Sequence, residues 1–372
     1  MNILALEPYY GGSHRAFLDG WVARSHHEWT LLVLPAYKWK WRMRHAPITF
    51  ADEVHARLTD GQRWDLVFCS DMLSLATFRG LAPAAVRDLP AIVYFHENQL
   101  TYPQRYENER DYAFVVDNLT TALAAEAVWF NSAYHRDAFL TAVPLFLRRM
   151  PDNQPADVID RIAAKSYIFP PGIDEFPPRG ADMPGPLHVL WSARWEHDKN
   201  PELFFEALDI MKSRNVDFRL SVIGEQFRDS PEVFGSARER FHAHILRWGF
   251  QKERAGYTRA LCESDVVVST TAHEFFGIGV LEAVAAGCYP VLPPRLAYPE
   301  VFQSTPDSDT ADFFYAGDAR ALADKLTELA ERLRRYDLWC GDPDRGRRLA
   351  AKYAWKQLVP DMDAEVERLA GI

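Results

Sequence analysis

Short, nearly unbroken apolar runs recur along this chain with room for one helix between neighbours, and no other feature constrains its fold as tightly. In the first half the runs are NILAL (2–6), WTLLVL (29–34), DLVFCS (65–70), AIVYF (91–95), AVWFN (127–131) and YIF (167–169). In the second they are LHVLWSA (187–193), FRLSVIG (218–224), ILRWGF (245–250), DVVVST (265–270), YPVLP (289–293) and a short FFY (313–315). Strands that are apolar on both faces belong in parallel sheets covered by helices. Strand signals alternating with amphipathic segments such as 111–126 predict βαβ units throughout. The Pro- and Gly-dense stretch FPPGIDEFPPRGADMPGP (169–186) divides the two series and reads as an interdomain linker. The expected class is α/β: two Rossmann-like domains, 1–170 and 171–349, with parallel sheets facing a central cleft. A last helix near 347–371, assigned as the C-terminal helix 350–372, is expected to pack back on the first domain. Ligands of such sheets bind at the carboxyl ends of the strands.

Bulk properties agree with that plan and remove other classes. A length of 372 residues suits two domains, and 48% hydrophobic content supplies ample cores. The start, MNILALEPYYGG, lacks the cationic region and cleavage site of a signal peptide. No run reaches the ~18 apolar residues that would span a membrane. Four scattered cysteines, Cys69, Cys262, Cys288 and Cys340, suit thiols in a reducing cytoplasm rather than disulfides or a zinc site. A net charge of -10 argues against a general nucleic-acid coat but leaves room for one local basic patch.

Four stretches carry candidate chemistry. HEFFGIGVLEAVAAGCYPV (273–291) follows a strand, with Glu274 in the loop, Phe276, Gly277, Ile278 and Gly279 leading into a helix, and Glu282 about one turn inside it. Glycines there admit close backbone approach, a helix start attracts phosphate, and Glu282 suits a ribose diol. The same residues also fit an ordinary strand–loop–helix crossover with acids placed to favour the dipole. WSARWEHDKNP (191–201) places Arg194 and Lys199 between strand and helix, as a diphosphate clamp or as a solvated charged loop. EPYYGGSHRAF (7–17) offers Gly11 and Gly12 after the first strand, with Ser13 as a helix N-cap, a pattern any tight turn would share. YFHENQLTYP (94–103) brings His96, Glu97, Asn98 and Gln99 straight off a buried strand, as a site or as satisfied structural polars. No His/Cys/carboxylate spacing in the sequence predicts a metal.

Glu274 and Glu282, with seven residues between them, resemble the paired-glutamate motif of retaining GT-B glycosyltransferases. Arg194 and Lys199 resemble the diphosphate pair of that superfamily, and PPGID (170–174) its linker. The stretches EPYYGGSH, LPAYKWKWRMR, FHENQLTYP and VWFNSAYHRDAF resemble the tRNA-queuosine mannosyltransferase family. The resemblance implies a metal-independent GT-B enzyme without cofactor that moves mannose from GDP-mannose, with retention, to the queuosine base of tRNA-Asp. A cytoplasmic protein with no stable membrane association and no obligate protein partner is expected. By matching position, His96, Arg194, Lys199 and Glu274 would be catalytic, with His96 reaching the hexose or the acceptor hydroxyl. Gly11, Gly12, Ser192, Gly224, Gly249, Phe250, Phe276, Gly277, Ile278, Gly279 and Glu282 would surround the sugar nucleotide. Ser13, His14, Asn98, Asn131, Lys38, Lys40, Arg42 and Arg44 would meet the acceptor.

The last four belong to YKWKWRMRHA (37–46), a concentrated basic stretch on an acidic chain. Read as a strand, its period of two puts the cations on one face and Trp39, Trp41 and Met43 on the other. That leaves three uses: a core face with solvated cations, a membrane-surface anchor, or RNA phosphates with a stacked base. The reading adopted is that the indoles are mostly core and the cationic face lines the acceptor cleft. The rival acceptor is a lipid or small sugar at a membrane surface, for which AFLTAVPLFLRR (138–149) is the supporting segment.

Overall fold

The computed structural model describes residues 1–103, 111–155, 157–177, 185–227, 229–303 and 309–371. Part of the expected linker, 178–184, lies outside them. The chain divides into two compact units, Met1–Gly172 with Trp355–Ile372, and Ile173–Ala354.

The first unit holds six parallel strands: β1 Asn2–Tyr10, β2 Glu28–Pro35, β3 Leu66–Ser70, β4 Ala91–Phe95, β5 Ala127–Phe130 and β6 Ser166–Ile168, in the order β2-β1-β3-β4-β5-β6. The second holds β7 Leu187–Ser192, β8 Phe218–Ile223, β9 Ile245–Gly249, β10 Val266–Val268 and β11 Tyr289–Val291, in the order β11-β10-β7-β8-β9. Every pairing is parallel, and β3, β4, β5, β10 and β11 are buried along their length, as their continuous apolar runs require. FFY departs from expectation. Asp309–Phe313 is a 3-10 turn, and only Phe314 joins the sheet, through an isolated bridge to Leu292.

Chain order reverses at β1/β3 in one sheet and at β7/β10 in the other, and such switch points open a crevice at the strands' carboxyl ends. Glu7, His14, Asp71 and His96 gather at the first, and Arg194, Lys199 and Glu274 at the second.

The end of the chain is two helices rather than one, Arg345–Ala351 and Trp355–Ala370, interrupted at 352–354. The second belongs to the first unit. Its Trp355, Val359, Met362 and Val366 share a core with Ile3, Ala5, Phe17, Trp21 and Trp129. A Cβ on Gly20 or on Gly172 would fall 2.3 or 2.2 Å from the Trp355 indole, so both glycines are required by that ring.

The basic stretch is helical, which corrects the strand reading. Lys38 is left-handed (φ 52°), and a helix runs Trp39–Thr59. Its buried positions, Met43, Ala46, Pro47, Phe50, Ala51 and Val54, follow the 3.6-residue period over a longer window than the alternation at 37–46. The cations therefore distribute around a helix start instead of sharing one face. Trp41 is 63% exposed and not core, while Trp39 is half-buried against Phe114. The apolar segment 138–149 lies mostly in the helix Ala133–Leu147 and spends Phe139, Val143, Phe146 and Leu147 on the first unit's core. Its apolar character is explained by packing, which removes the observation behind the lipid rival. Among the described residues no helix is long and apolar enough to cross a membrane. The cysteines are free thiols; Cys69 and Cys288 are buried and Cys340 is exposed.

Candidate functional site

In the second unit, neighbouring parallel strands β7 and β10 deliver their following loops side by side. The β7 loop carries Arg194 and a short 3-10 turn, His197–Lys199; the β10 loop carries His273 and Glu274. The loops are tied by the Thr270 hydroxyl donating to the Lys199 carbonyl (2.8 Å) and by Ala272 N–H donating to the Asp198 carbonyl (2.7 Å). The Lys199 ammonium is buried. It donates to the His273 carbonyl (2.9 Å) and to Glu274 Oε2 (3.3 Å), and stands 3.0 Å from Asp198 Oδ2. Burial opposes its charge, but Glu274 and Asp198 outweigh that and hold its pKa above the ordinary lysine value. Burial would likewise raise Glu274, yet Lys199 and Arg194 bring it below the usual carboxylate range. His273, half-buried, is pushed down to about 4 by desolvation and the Lys199 charge and stays neutral. Arg194 is 43% exposed and pairs with Glu196 at 3.2 Å, so its guanidinium is the accessible cation of this cluster.

The same crevice is shaped by backbone. A Cβ on Gly224, just after β8, would stand 1.7 Å from the Ala193 carbonyl oxygen, so only glycine lets the β7 and β8 loops approach this closely. Gly277 is the left-handed N-cap of the helix Ile278–Ala285, packed on Tyr298. Ser192 ends β7 beneath Gly279. Phe276 packs edge-on to Tyr353, and its side chain is buried rather than offered to a ligand. Gly249 ends β9, and the adjoining Phe250 is 60% exposed.

Glu282 is placed in company that sequence reasoning missed. Tyr257 donates its hydroxyl to Oε2 (2.6 Å), and Arg254 donates to Oε1 (2.8 Å) while lying 3.5 Å from Asp174. Burial and Glu282 push the Tyr257 phenol well above its ordinary pKa, so it remains a donor. Arg254 and Tyr257 lie on the helix Arg254–Cys262, too far from Glu282 in sequence for any local motif to join them.

In the first unit, Glu7 near the end of β1, His14 in the helix Gly12–Val22, Asp71 after β3 and His96 after β4 converge at the β1/β3 switch point. His14 Nδ1 lies 3.2 Å from Glu7 Oε2, and the His14 and His96 rings meet at a 31° tilt with centroids 3.9 Å apart. Burial disfavours an imidazolium at His14, but Glu7 prevails and raises it to about 9. Burial and the His14 charge hold His96 well below its usual range, hence neutral. Asp71 is buried and raised to about 8. Its Oδ1 accepts the His96 backbone N–H (2.8 Å), and its Oδ2 has no partner among the described residues. Glu7, His14 and His96 lie close enough together to share an ion. Two imidazoles in tilted contact beside a carboxylate, one charged and one neutral, place a proton donor next to a possible acceptor.

Several expected acceptor residues have structural employment. Asn98 is fully buried and uses Oδ1 to accept from Leu100 N–H (3.1 Å) and Thr101 N–H (2.8 Å), closing its own loop. Asn131 donates to the His96 carbonyl (2.9 Å) and meets His135 Nδ1 (3.0 Å), so it holds the His96 loop from behind. Ser13 is not an N-cap. Gly11 holds that position in extended backbone, packed on Ala36, with Gly12 as the first helical residue and Ser13 exposed in the first turn. Arg44 pairs with Asp117 (2.8 Å) over the Phe114 ring, and Arg42 donates to the Pro35 carbonyl (3.0 Å). Lys38 and Lys40 lie over the rings of Tyr37 and Trp39.

Comparison with known proteins agrees with both units. Among solved structures, sucrose-phosphate synthase from Thermosynechococcus elongatus aligns over 100% of both chains with a TM-score of 0.70 at 14% identity. Anabaena HepE in complex with UDP aligns over 99% of this chain and 100% of its own, with a TM-score of 0.68 at 14% identity. The fold is GT-B. Residues 186–332 match the family described as glycosyl transferases group 1, and residues 2–173 match tRNA-queuosine alpha-mannosyltransferase N-terminal. A GDP-mannose-dependent alpha-(1-6)-phosphatidylinositol dimannoside mannosyltransferase from Mycobacterium tuberculosis is 26% identical over 57% of this chain and 55% of its own. The tRNA-queuosine alpha-mannosyltransferase of Drosophila melanogaster is 37% identical over 318 residues, 81% of each chain. With that identity along most of its length, the chain belongs to the tRNA-queuosine alpha-mannosyltransferase family of glycosyltransferases.

Proposed function

We propose that this protein transfers mannose from GDP-mannose, with retention, to the queuosine base of a tRNA, most simply in the cytoplasm. The second unit holds the sugar nucleotide and the first the acceptor. The observation that carries the reading is the charge cluster Arg194–Lys199–Glu274 at the β7/β10 switch point, in a chain of this family. Arg194 and Lys199 face the diphosphate and offset the charge that develops as the bond from sugar C1 to the β-phosphate oxygen breaks. A new bond forms from the acceptor oxygen to C1 on the same face. The departing phosphate oxygen takes the acceptor hydroxyl proton, so no protein nucleophile is required. Glu274 contacts the hexose and Glu282 the ribose, its carboxylate aimed by Tyr257 and Arg254.

Because the clamp supplies positive charge, transfer is expected to persist in excess EDTA when a pre-folded stem-loop serves as acceptor. Complete loss restored by magnesium would remove the clamp from that role. The main test is mass spectrometry of nucleosides from bulk tRNA incubated with the protein and, separately, GDP-mannose, GDP-fucose, UDP-glucose or UDP-GlcNAc. A hexose added to queuosine from GDP-mannose alone is the expected result. No modified nucleoside with any donor would overturn the acceptor assignment.

A further inference from the structure

Away from both switch points, the loop joining the helix Gly12–Val22 to β2 meets the last helix, all within the first unit. Asp363 and Glu367 are one turn apart on that helix and so project from one face. His26 and His27 occupy the loop. One donor atom from each of His26, His27 and Asp363 lies within 4.8 Å of the others. His26 Nδ1 is 3.0 Å from Asp363 Oδ2, close to the roughly 3.3 Å separation of two ligands held at about 2.0 Å on a tetrahedral ion.

Each side chain is oriented as a ligand would be. Asp363 is buried, and its Oδ1 is taken by Trp21 Nε1 (2.8 Å) and the Ser25 hydroxyl (2.9 Å), which turns Oδ2 toward the histidines. His26 Nε2 lies 2.8 Å from Glu367 Oε1, the carboxylate–imidazole contact that fixes the tautomer of a metal-bound histidine and leaves Nδ1 to coordinate. His27 decides the matter. Its side chain is 2% exposed, and among the described residues neither ring nitrogen has a partner at hydrogen-bond distance, with Glu367 Oε1 at 3.9 Å from Nε2. An imidazolium at His26 bridging two carboxylates would account for His26 alone and leave His27 buried with two unsatisfied nitrogens, a costly arrangement. An ion satisfies one of them and explains why a second histidine is buried here.

We propose that His26 Nδ1, a ring nitrogen of His27 and Asp363 Oδ2 form a site for one divalent transition-metal ion of the zinc type, with water as the fourth ligand. The site is a clip that fastens the last helix to the loop before β2. Its imidazole and carboxylate donors suit zinc better than the all-oxygen shells of calcium or magnesium.

The experiment uses the full chain, stripped with a chelator and then freed of it, titrated calorimetrically with zinc chloride and melted with and without zinc. Wild type should bind one zinc saturably at micromolar concentration or tighter and melt higher with it. His26→Gln, at a 65% exposed position that tolerates change, should weaken zinc at least tenfold and abolish the rise in Tm. His27→Phe fills the same space without a ligand and should do the same. If it does not fold, Glu367→Gln, which frees the His26 ring, should weaken zinc about tenfold instead. No saturable zinc binding, or binding equally tight in His26→Gln, overturns the proposal.

Discussion

Tyr257 and Glu282 form the tightest contact in the second unit's candidate site, hydroxyl to carboxylate at 2.6 Å, with Arg254 on the other oxygen. The carboxylate is thus aimed before any ligand arrives. Glu282→Gln keeps the volume but loses the charge that Arg254 faces and turns one acceptor into a donor. Loss of a charged hydrogen bond costs about 1.5–3 kcal/mol, so affinity for GDP should fall roughly ten- to a hundredfold. Tyr257→Phe removes only a neutral donor and should cost about 0.5–1.5 kcal/mol. Calorimetry with GDP alone reads both; affinities unchanged in the pair would place the ribose elsewhere.

Arg194 and Lys199 divide by burial. Arg194, exposed and paired with Glu196 at the surface, can be removed without touching a core, and Arg194→Ala should change the melting temperature little. The barrier to transfer should rise by about 2.7–4 kcal/mol, as when one preorganised electrostatic group is deleted. Single-turnover rates at saturating donor check this. Lys199→Ala should do worse on both counts, since it strands the Glu274 and Asp198 carboxylates around an empty space.

The basic helix start makes a narrower prediction than four equivalent cations would. Arg42 and Arg44 already have protein partners, whereas Lys38, Lys40 and Trp41 face outward. Lys38→Ala with Lys40→Ala should each lower the slope of log K against log[salt] for tRNA by about 0.7–0.9. Trp41→Ala should leave stability intact and weaken tRNA binding by about 1–3 kcal/mol if the indole stacks on a base. Filter binding over a salt series would detect both, and an unchanged slope would take this helix out of the acceptor site.

The Glu7–His14 pair makes the first unit's stability depend on alkaline pH. His14 is raised to about 9 in the folded protein from about 6.5 unfolded. Its contribution is therefore complete below about pH 6.5 and is lost as pH rises through 9. Asp71, raised to about 8, acts in the same direction from lower pH upward. Urea unfolding at pH 6.5, 7.5 and 8.5 should show stability falling in that order. His14→Gln should flatten the alkaline part, and an equal slope in the variant would locate the proton elsewhere.

The strands were legible because residues such as Val266, Val267 and Val268 are buried on both faces and cannot hide polar groups among them. The Lys199–Glu274 cluster was legible for a related reason: a charge placed directly after such a run is held at a sheet's carboxyl edge. The helix Trp39–Thr59 was misread because a seven-residue window fits period two by chance, while its six buried positions declare themselves only over the full length. Arg254 and Tyr257 left no local signal, since the register of one helix against another brings them to Glu282. Glu7 and Asp71 did leave one. A lone carboxylate at either end of an otherwise apolar run is costly unless it has work there, and that sign was available in EPYYGG and FCSD.

The indole of Trp355, lodged between Gly20 and Gly172, also bears on how the molecule is made. A ribosome completes the β1–β6 sheet early but must then synthesise all of Ile173–Ala354 before the helix that covers one of its faces exists. At about 5–20 residues per second that interval is on the order of ten seconds or more. Throughout it, Ile3, Ala5, Trp21 and Trp129 lack their partners Val359, Met362 and Val366. The second unit can mature as it emerges, while the first waits half-dressed, its apolar face open to chaperones and to aggregation until the closing helix leaves the exit tunnel.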